Sequence, residues 1–368
     1  MSETAETAAY GHSDAAGALA PGRLMSAEVA EQPAAWRRLL DDGAGEIADV
    51  AAAIAARAPR FVLLAARGTS DHAALYAKYL VEVQRGLPAG LASPSSLTVY
   101  GSRPQLRDVL FVAVSQSGGS PDLLDSMTTA RACGAITVAV TNNPSSALGQ
   151  AAEFSVDVRA GVERAVAATK TYTAELLALY LLLAVPDAEG RTALTRARAG
   201  LADAADLTLA GEPAVRAAAA RYRFADRLVT TARGYSYPTA REAALKLMET
   251  SYLSAQAFSG ADLLHGPMAM IDADLPVIAV KTPGRGGAAM AAVIERMRER
   301  RADLVVVGEQ PGDGQPAIVL PVQTAGVSED LHPLLEILPL QQLALHLALQ
   351  RGGDPDAPRG LSKVTETW

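Results

Sequence analysis

The sequence predicts an α/β protein made of two tandem doubly wound parallel-sheet domains related by internal duplication. Three observations carry this. Short continuous apolar runs, each ending in a polar Gly- or Ser-containing loop, alternate with helix-like segments, as strands buried on both faces of a parallel sheet do. The two halves run in phase: Arg233, Gly234 and Ser236 each follow Arg67, Gly68 and Ser70 by 166 positions. The length of 368 residues accommodates two domains of ordinary size.

Residues 1–24, mostly Ala, Ser, Glu, Thr and Gly, cannot bury much surface and are expected to be a disordered tail without chemistry. Amphipathic spacing begins at Met25, and the first domain spans 25–190. RFVLLAA (60–66) reads as its first strand, ending in ArgGlyThrSer at 67–70, with a helix expected from Asp71 to Glu82. DVLFVAV (108–114) is the second, ending in SerGlnSerGlyGlySer at 115–120 before a helix from Pro121. AITVAVT (135–141) and FSVDV (154–158) follow as strands. A helical region around 186–222 leads into the second domain, 205–352. There RLVTTARGYS (227–236), PVIAV (276–280) and DLVVV (303–307) repeat the pattern, the last two lying 166 and 167 positions after residues 110–114 and 136–140. Residues 353–368 form a C-terminal tail.

Bulk properties narrow the chemistry. A net charge of −7 with no basic stripe argues against nucleic acid. Small anions remain possible ligands, because backbone amides at a helix start bind them without net positive charge. The single cysteine, Cys133, excludes an internal disulfide and a cysteine-rich metal cluster, and reads as a small packing residue. Five scattered histidines have no metal-ligand spacing, and no nucleotide fingerprint occurs. No run approaches the roughly 18 apolar residues of a membrane span, and the first 24 residues lack a signal-peptide pattern. A cytoplasmic protein without metal, cofactor or membrane contact is expected.

Two regions carry chemistry. In open parallel sheets, ligands sit beyond the carboxyl ends of strands. SerGlnSerGlyGlySer at such an end offers hydroxyls, an amide and free backbone N–H groups suited to a phosphate monoester, and Thr69 and Ser70 add donors from the neighbouring loop. Ser and Gly also serve as plain turn formers and caps. The second region is REAALKLMETSYLSAQAFSGADLLHGP (241–267), read as a helix followed by a short linker. Glu242, Lys246 and Glu249 at i, i+4 and i+7 share one helix face, and His265 precedes Gly266 and Pro267. Carboxylate, amine and imidazole are the groups that move a proton beside a carbonyl. An ordinary solvated ion-paired face is the plainer alternative.

The ordered set EQP (31–33), RGTS (67–70), SQSG (115–118), ERAVAATK (163–170), RGYSYP (233–238), EAALKLMETSY (242–252), HGP (265–267) and DAPRGLSK (356–363) resembles the sugar isomerase (SIS) domain proteins. The resemblance is specifically to the tandem-SIS isomerase half of glucosamine-6-phosphate synthase and to stand-alone amino-sugar-phosphate deaminases. It implies that Ser70, Ser115, Gln116, Ser117 and Ser120 hold a sugar 6-phosphate and that Thr69, Val166 and Ser362 line the sugar. It further implies that Glu249 is the base between carbons 1 and 2, that His265 opens the ring and reaches a partner subunit's site, and that Lys246 and the tail's Lys363 complete the catalytic set. A homodimer with composite sites follows from it. Gly119, Ala168, Leu264 and Gly360 depart from the synthase pattern and bear on the identity of the sugar. The synthase also has a glutaminase domain with a nucleophilic cysteine, whereas here no cysteine precedes Cys133.

The expected net reaction is therefore deamination of glucosamine 6-phosphate to fructose 6-phosphate and ammonia. Aldose–ketose isomerisation, synthesis from free ammonia and β-elimination from an enolised intermediate use the same groups. A sugar-phosphate sensor is the non-enzymatic alternative, and it needs none of Glu249, Lys246, His265 and Lys363. Lys170 reads equally as a surface lysine, and His72, His332 and His346 as polar or structural residues.

Overall fold

The computed structural model describes residues 20–184, 191–309 and 317–363. Three N-terminal helices, α1 (Arg23–Ala30), α2 (Gln32–Arg38) and α3 (Ala44–Ala56), precede the first sheet. That sheet and its crossovers run β1 (Phe61–Ala65), α4 (Thr69–Leu80), β2 (Ala89–Leu91), α5 (Pro94–Thr98), β3 (Val109–Ser115), α6 (Pro121–Ala132), β4 (Ile136–Thr141), α7 (Ala147–Ala151), β5 (Phe154–Asp157) and α8 (Lys170–Leu183). Helices α9 (Arg191–Arg198), α10 (Leu201–Leu209) and α11 (Glu212–Tyr222) occupy the expected helical connection. The second unit runs β6 (Arg227–Ala232), α12 (Tyr237–Ser251), β7 (Ser254–Ser259), α13 (Gly260–Leu264), β8 (Pro276–Lys281), α14 (Arg285–Glu299), β9 (Asp303–Gly308), β10 (Ile318–Leu320) and α15 (His332–Gln350).

Both sheets have five strands and every pair is parallel. Their orders, β2-β1-β3-β4-β5 and β10-β9-β8-β6-β7, are the same winding read from opposite edges. The duplication seen in the sequence is thus a duplication of topology. The apolar runs became strands because central parallel strands are covered on both faces: residues 110–115 of β3 and all of β4 are buried. Three edge strands, β2, β7 and β10, lie outside the sequence reading. The linker expected before His265 in fact contains β7 and α13. Tyr252, in the left-handed region at φ 55°, ends α12 and turns the chain into that strand.

Helices α8 and α15 have no polar face. Every residue of α8 is buried, as is α15 from His332 to Ala348, and the two helices join the layers into one core. Helix α4 packs against α8 and, across the boundary between the units, against α12. Polar braces pin this centre. Lys170 Nζ, almost fully buried rather than on the surface, donates to Glu31 Oε2 at 2.7 Å. Trp36 Nε1 donates to Thr173 Oγ1 at 3.0 Å, and Gln32 Nε2 to Gln341 Oε1 at 2.8 Å.

Helix α1 starts inside the stretch expected to be tail, because the far end of the chain caps it. Asp354 accepts the Gly22 amide at 3.0 Å, and Asp356 accepts those of Leu24 and Met25, both at 2.8 Å. Residues 1–19 of the expected tail lie outside the described residues, as do 364–368 at the other end. Among the described residues no helix is long and apolar enough to cross a membrane.

Candidate active site

Because β1 and β3 are neighbours, the loops that leave their carboxyl ends are adjacent. They face a cavity of about 370 Å³, walled also by α12 and the C-terminal segment. Thr69 and Ser70 open α4. Ser115 ends β3, Gln116 and Ser117 follow, and Ser120 occupies the N-cap of α6. The starts of two twelve-residue helices therefore point their positive ends at one space. Ser115 Oγ accepts the Gly118 amide and Ser117 Oγ that of Gly119, each at 3.2 Å, which curls the loop into a cradle. Gly118 is essential to the curl. Its φ is +64°, and a Cβ there would sit 1.9 Å from Ser146 Oγ.

Opposite the cradle stands the polar face of α12. Lys246 is 1% exposed, with Glu249 Oε2 at 2.5 Å from its Nζ and Glu242 Oε1 at 3.4 Å. Burial alone would lower the lysine's pKa, but Glu242 and Glu249 outweigh it and hold the ammonium above its ordinary value. Glu249 is partly exposed and lines the cavity, so a carboxylate and a cation reach the same space. Glu242 is fully buried and accepts from Thr69 Oγ1 at 3.1 Å, while His72 Nδ1 lies 2.7 Å from its other oxygen. His72, expected only as a polar helix residue, is thus a buried partner of the site helix.

The third wall pairs Val166 and Ala168 with Leu361, Ser362 and Lys363. Lys363 Nζ donates to Glu163 Oε2 at 2.8 Å and to the Ala165 carbonyl at 2.7 Å. The other oxygen of Glu163 accepts the Thr169 and Thr171 amides at 2.9 and 3.1 Å. All the residues expected to bind substrate, together with Lys246, Glu249 and Lys363, line this one cavity. His265 does not. It stands exposed after α13, followed by Gly266 at φ +119°. At the matching end of β8 the loop is closed, for Glu329 Oε1 accepts the Gly286 amide at 2.7 Å.

The SIS domain family matches residues 57–185 and 222–314, one segment on each sheet unit. The chain belongs to the SIS domain family. Among curated SIS relatives, the glutamine–fructose-6-phosphate aminotransferase of Gloeobacter violaceus is 35% identical over 359 residues, covering 92% of this chain and 58% of that protein. The chain thus spans less than two thirds of that relative's length. Among solved SIS structures, one from Silicibacter pomeroyi DSS-3 assigned to the phosphosugar isomerases superposes with a TM-score of 0.81 at 35% identity, covering 90% of this chain and 99% of that one. The C-terminal domain of the glucosamine-fructose-6-phosphate aminotransferase of Francisella tularensis gives 0.82 at 25% identity, covering 91% and 98%.

Four residues in or behind the wall of this SIS cavity were given no role in the sequence reading. Arg67 lines it and pairs with the buried Asp122 at 2.6 Å, tying the first loop to the start of α6. Glu242 was visible on the face of Lys246, but its bonds to Thr69 and His72 come from the packing of α4 on α12. Glu163 lies inside the ERAVAATK motif, and Glu175 accepts from Ser70 Oγ at 2.9 Å.

Proposed function

We propose that this SIS protein is an amino-sugar-phosphate enzyme whose cavity binds a hexose 6-phosphate and moves a proton between carbons 1 and 2. One observation carries the reading: hydroxyl-rich helix starts, the Lys246–Glu249 pair and Lys363 converge on one cavity although they come from four separate parts of the chain. The phosphoryl group takes the cradle of Ser70, Ser115, Gln116, Ser117 and Ser120. Thr69, Val166 and Ser362 line the sugar. Glu249 takes the carbon 2 proton, and the buried Lys246 ammonium stabilises the enolate oxygen that results. Lys363, fixed by Glu163, adds a second cation at the same end. The names of the aminotransferase and phosphosugar isomerase relatives support a sugar phosphate as ligand.

The net reaction we propose is deamination of glucosamine 6-phosphate to fructose 6-phosphate and ammonia. Cys133, at the end of α6, is not among the cavity-lining residues, so these residues offer no thiol for releasing ammonia from glutamine. An assay of the purified protein with glucosamine 6-phosphate, following ammonia and fructose 6-phosphate together, tests this. Ketose without ammonia, or neither product, would refute deamination.

His265 acts, in this reading, on the ring of a substrate bound to the partner subunit, which makes the working unit a homodimer. Its exposure outside its own cavity supports this. Mixing His265→Ala chains with Glu249→Gln chains should restore part of the activity. Heterodimers that form and stay inactive would count decisively against action in trans.

A further inference from the structure

Helix α8 carries a carboxylate that the proposed chemistry leaves unused. Glu175 is 1% exposed, and among the described residues its one hydrogen-bond partner is Ser70, whose Oγ lies 2.9 Å from Oε1. Its Oε2 is buried with no hydrogen-bond partner. The duplicated unit supplies an internal control. On α15, Glu336 meets Ser236, the residue that matches Ser70, at 2.8 Å. Glu336 also accepts from Thr239 Oγ1 at 3.3 Å and Thr282 Oγ1 at 2.5 Å, so both its oxygens are satisfied. The positions that match Thr239 and Thr282 in the first unit are Ala73 and Gln116. In the unit that has the open cavity neither position serves Glu175: Ala73 has no side-chain donor and the Gln116 amide lines the cavity, so only the serine remains.

An ionised Glu175 would create two difficulties at once. One carboxylate oxygen would be buried without a donor. The single Ser70 proton would point at Glu175, leaving only lone pairs toward a phosphoryl dianion. A proton on Oε1 lessens the first, because Oε2 is then a neutral carbonyl oxygen rather than part of an unpaired charge. It removes the second, since the carboxyl O–H donates to Ser70 Oγ and the serine O–H is free to point into the cavity.

We propose that Glu175 works as a neutral carboxyl, a positioning residue that donates to Ser70 Oγ and so makes Ser70 a hydrogen-bond donor to the substrate's phosphoryl group. This rests on the reading that Ser70 holds that group. The surroundings favour the neutral form. Burial pushes the pKa of Glu175 well up, Ser70 opposes this, and Glu163 and Glu242 add to it. Lys363 acts the other way. Tyr172 on the same helix feels the charge of Glu175, of Glu242 and of Glu336 on α15, while His72 on α4 and Lys246 on α12 both pair with Glu242.

The test is calorimetric binding of fructose 6-phosphate to the full chain at neutral pH and at successively higher pH. Ser70→Ala and Glu175→Leu should each weaken binding by about tenfold or more, the loss expected for a bond to a charged group, and the double variant should be no weaker than either alone. Glu175→Gln keeps an N–H to donate to Ser70. It should bind within about threefold of wild type, and any loss of affinity that wild type suffers as rising pH ionises Glu175 should be absent from it. A Gln variant as weak as Ser70→Ala, or one with the wild-type alkaline profile, overturns the role of Glu175, and this arm decides even if Glu175→Leu does not fold. Unchanged binding by Ser70→Ala would instead overturn the phosphate assignment of Ser70, and the proposal with it.

Discussion

Replacing Glu249 with Gln separates its proposed role in proton abstraction from everything else the site helix does. The amide has nearly the same shape and still accepts a hydrogen bond from Lys246, but it cannot take a proton from carbon. The buried Lys246 ammonium keeps Glu242 at 3.4 Å, so no unpaired charge is left in the core. The stability cost is therefore that of one weakened charge-assisted bond at a partly exposed group, about 1–2 kcal/mol. Substrate affinity should change little, because the cradle is on the opposite wall. The rate should fall by roughly 10²–10⁴, equivalent to about 3–5 kcal/mol of transition-state stabilisation. Removing one of the two carboxylates that hold the Lys246 pKa up should also lower it. The direct observable is exchange of the carbon 2 hydrogen of glucosamine 6-phosphate with solvent deuterium, followed by proton NMR. Exchange at the wild-type rate in Glu249→Gln would show that the base is another group and leave Lys246 or Lys363 to supply it.

Gly118→Ala should cost about 1–3 kcal/mol and weaken sugar-phosphate binding together, because its Cβ would overlap Ser146 Oγ in a backbone region that disfavours side chains; thermal melts with and without fructose 6-phosphate measure both. Asp356→Ala removes the acceptor of two α1 amides and should cost about 1–2 kcal/mol in urea unfolding; an unchanged midpoint would mean the tail does not cap that helix. Burial, opposed by bonds from Thr282, Ser236 and Thr239, pushes the pKa of Glu336 up from 4.5 to about 7. The folded state thus holds a proton that the unfolded chain has lost between those values, and stability falls as pH rises through that window, by roughly 3 kcal/mol. Glu336→Gln should flatten this part of the pH–stability curve, and an unchanged slope between pH 5 and pH 8 would contradict it.

What could be read from the sequence followed from what one residue says about its own surroundings. Central strands such as VLFVAV declare burial on both faces, so β1, β3, β4 and their counterparts were legible. Edge strands are not obliged to be apolar. SerAlaGlnAlaPheSer in β7 is largely half-exposed or exposed and reads as a loop, and three-residue β2 and β10 are too short to show a period. The cradle was legible because four of its five members lie within six positions at one strand end and the fifth, Ser70, follows the neighbouring strand. The partners that hold the residues proposed to be catalytic were not. Glu242 meets Thr69 across 173 positions through the packing of α4 on α12, and Lys363 meets Glu163 across 200 through the return of the C-terminal segment, so neither contact follows from local pattern.

Those separations have a consequence in time. Bringing together distant points of a chain costs more entropy than closing a neighbouring crossover, so such contacts form after local ones have reduced the search. Asp356 reaches Leu24 and Met25 across 332 and 331 positions, and it anchors the segment that leads to Lys363. Each sheet unit closes through far shorter spans. A refolding chain will hence regain its helical and strand signal before it regains a closed cavity. In a stopped-flow experiment, circular dichroism should recover ahead of ligand binding, and the delay between them reports the docking of the tail.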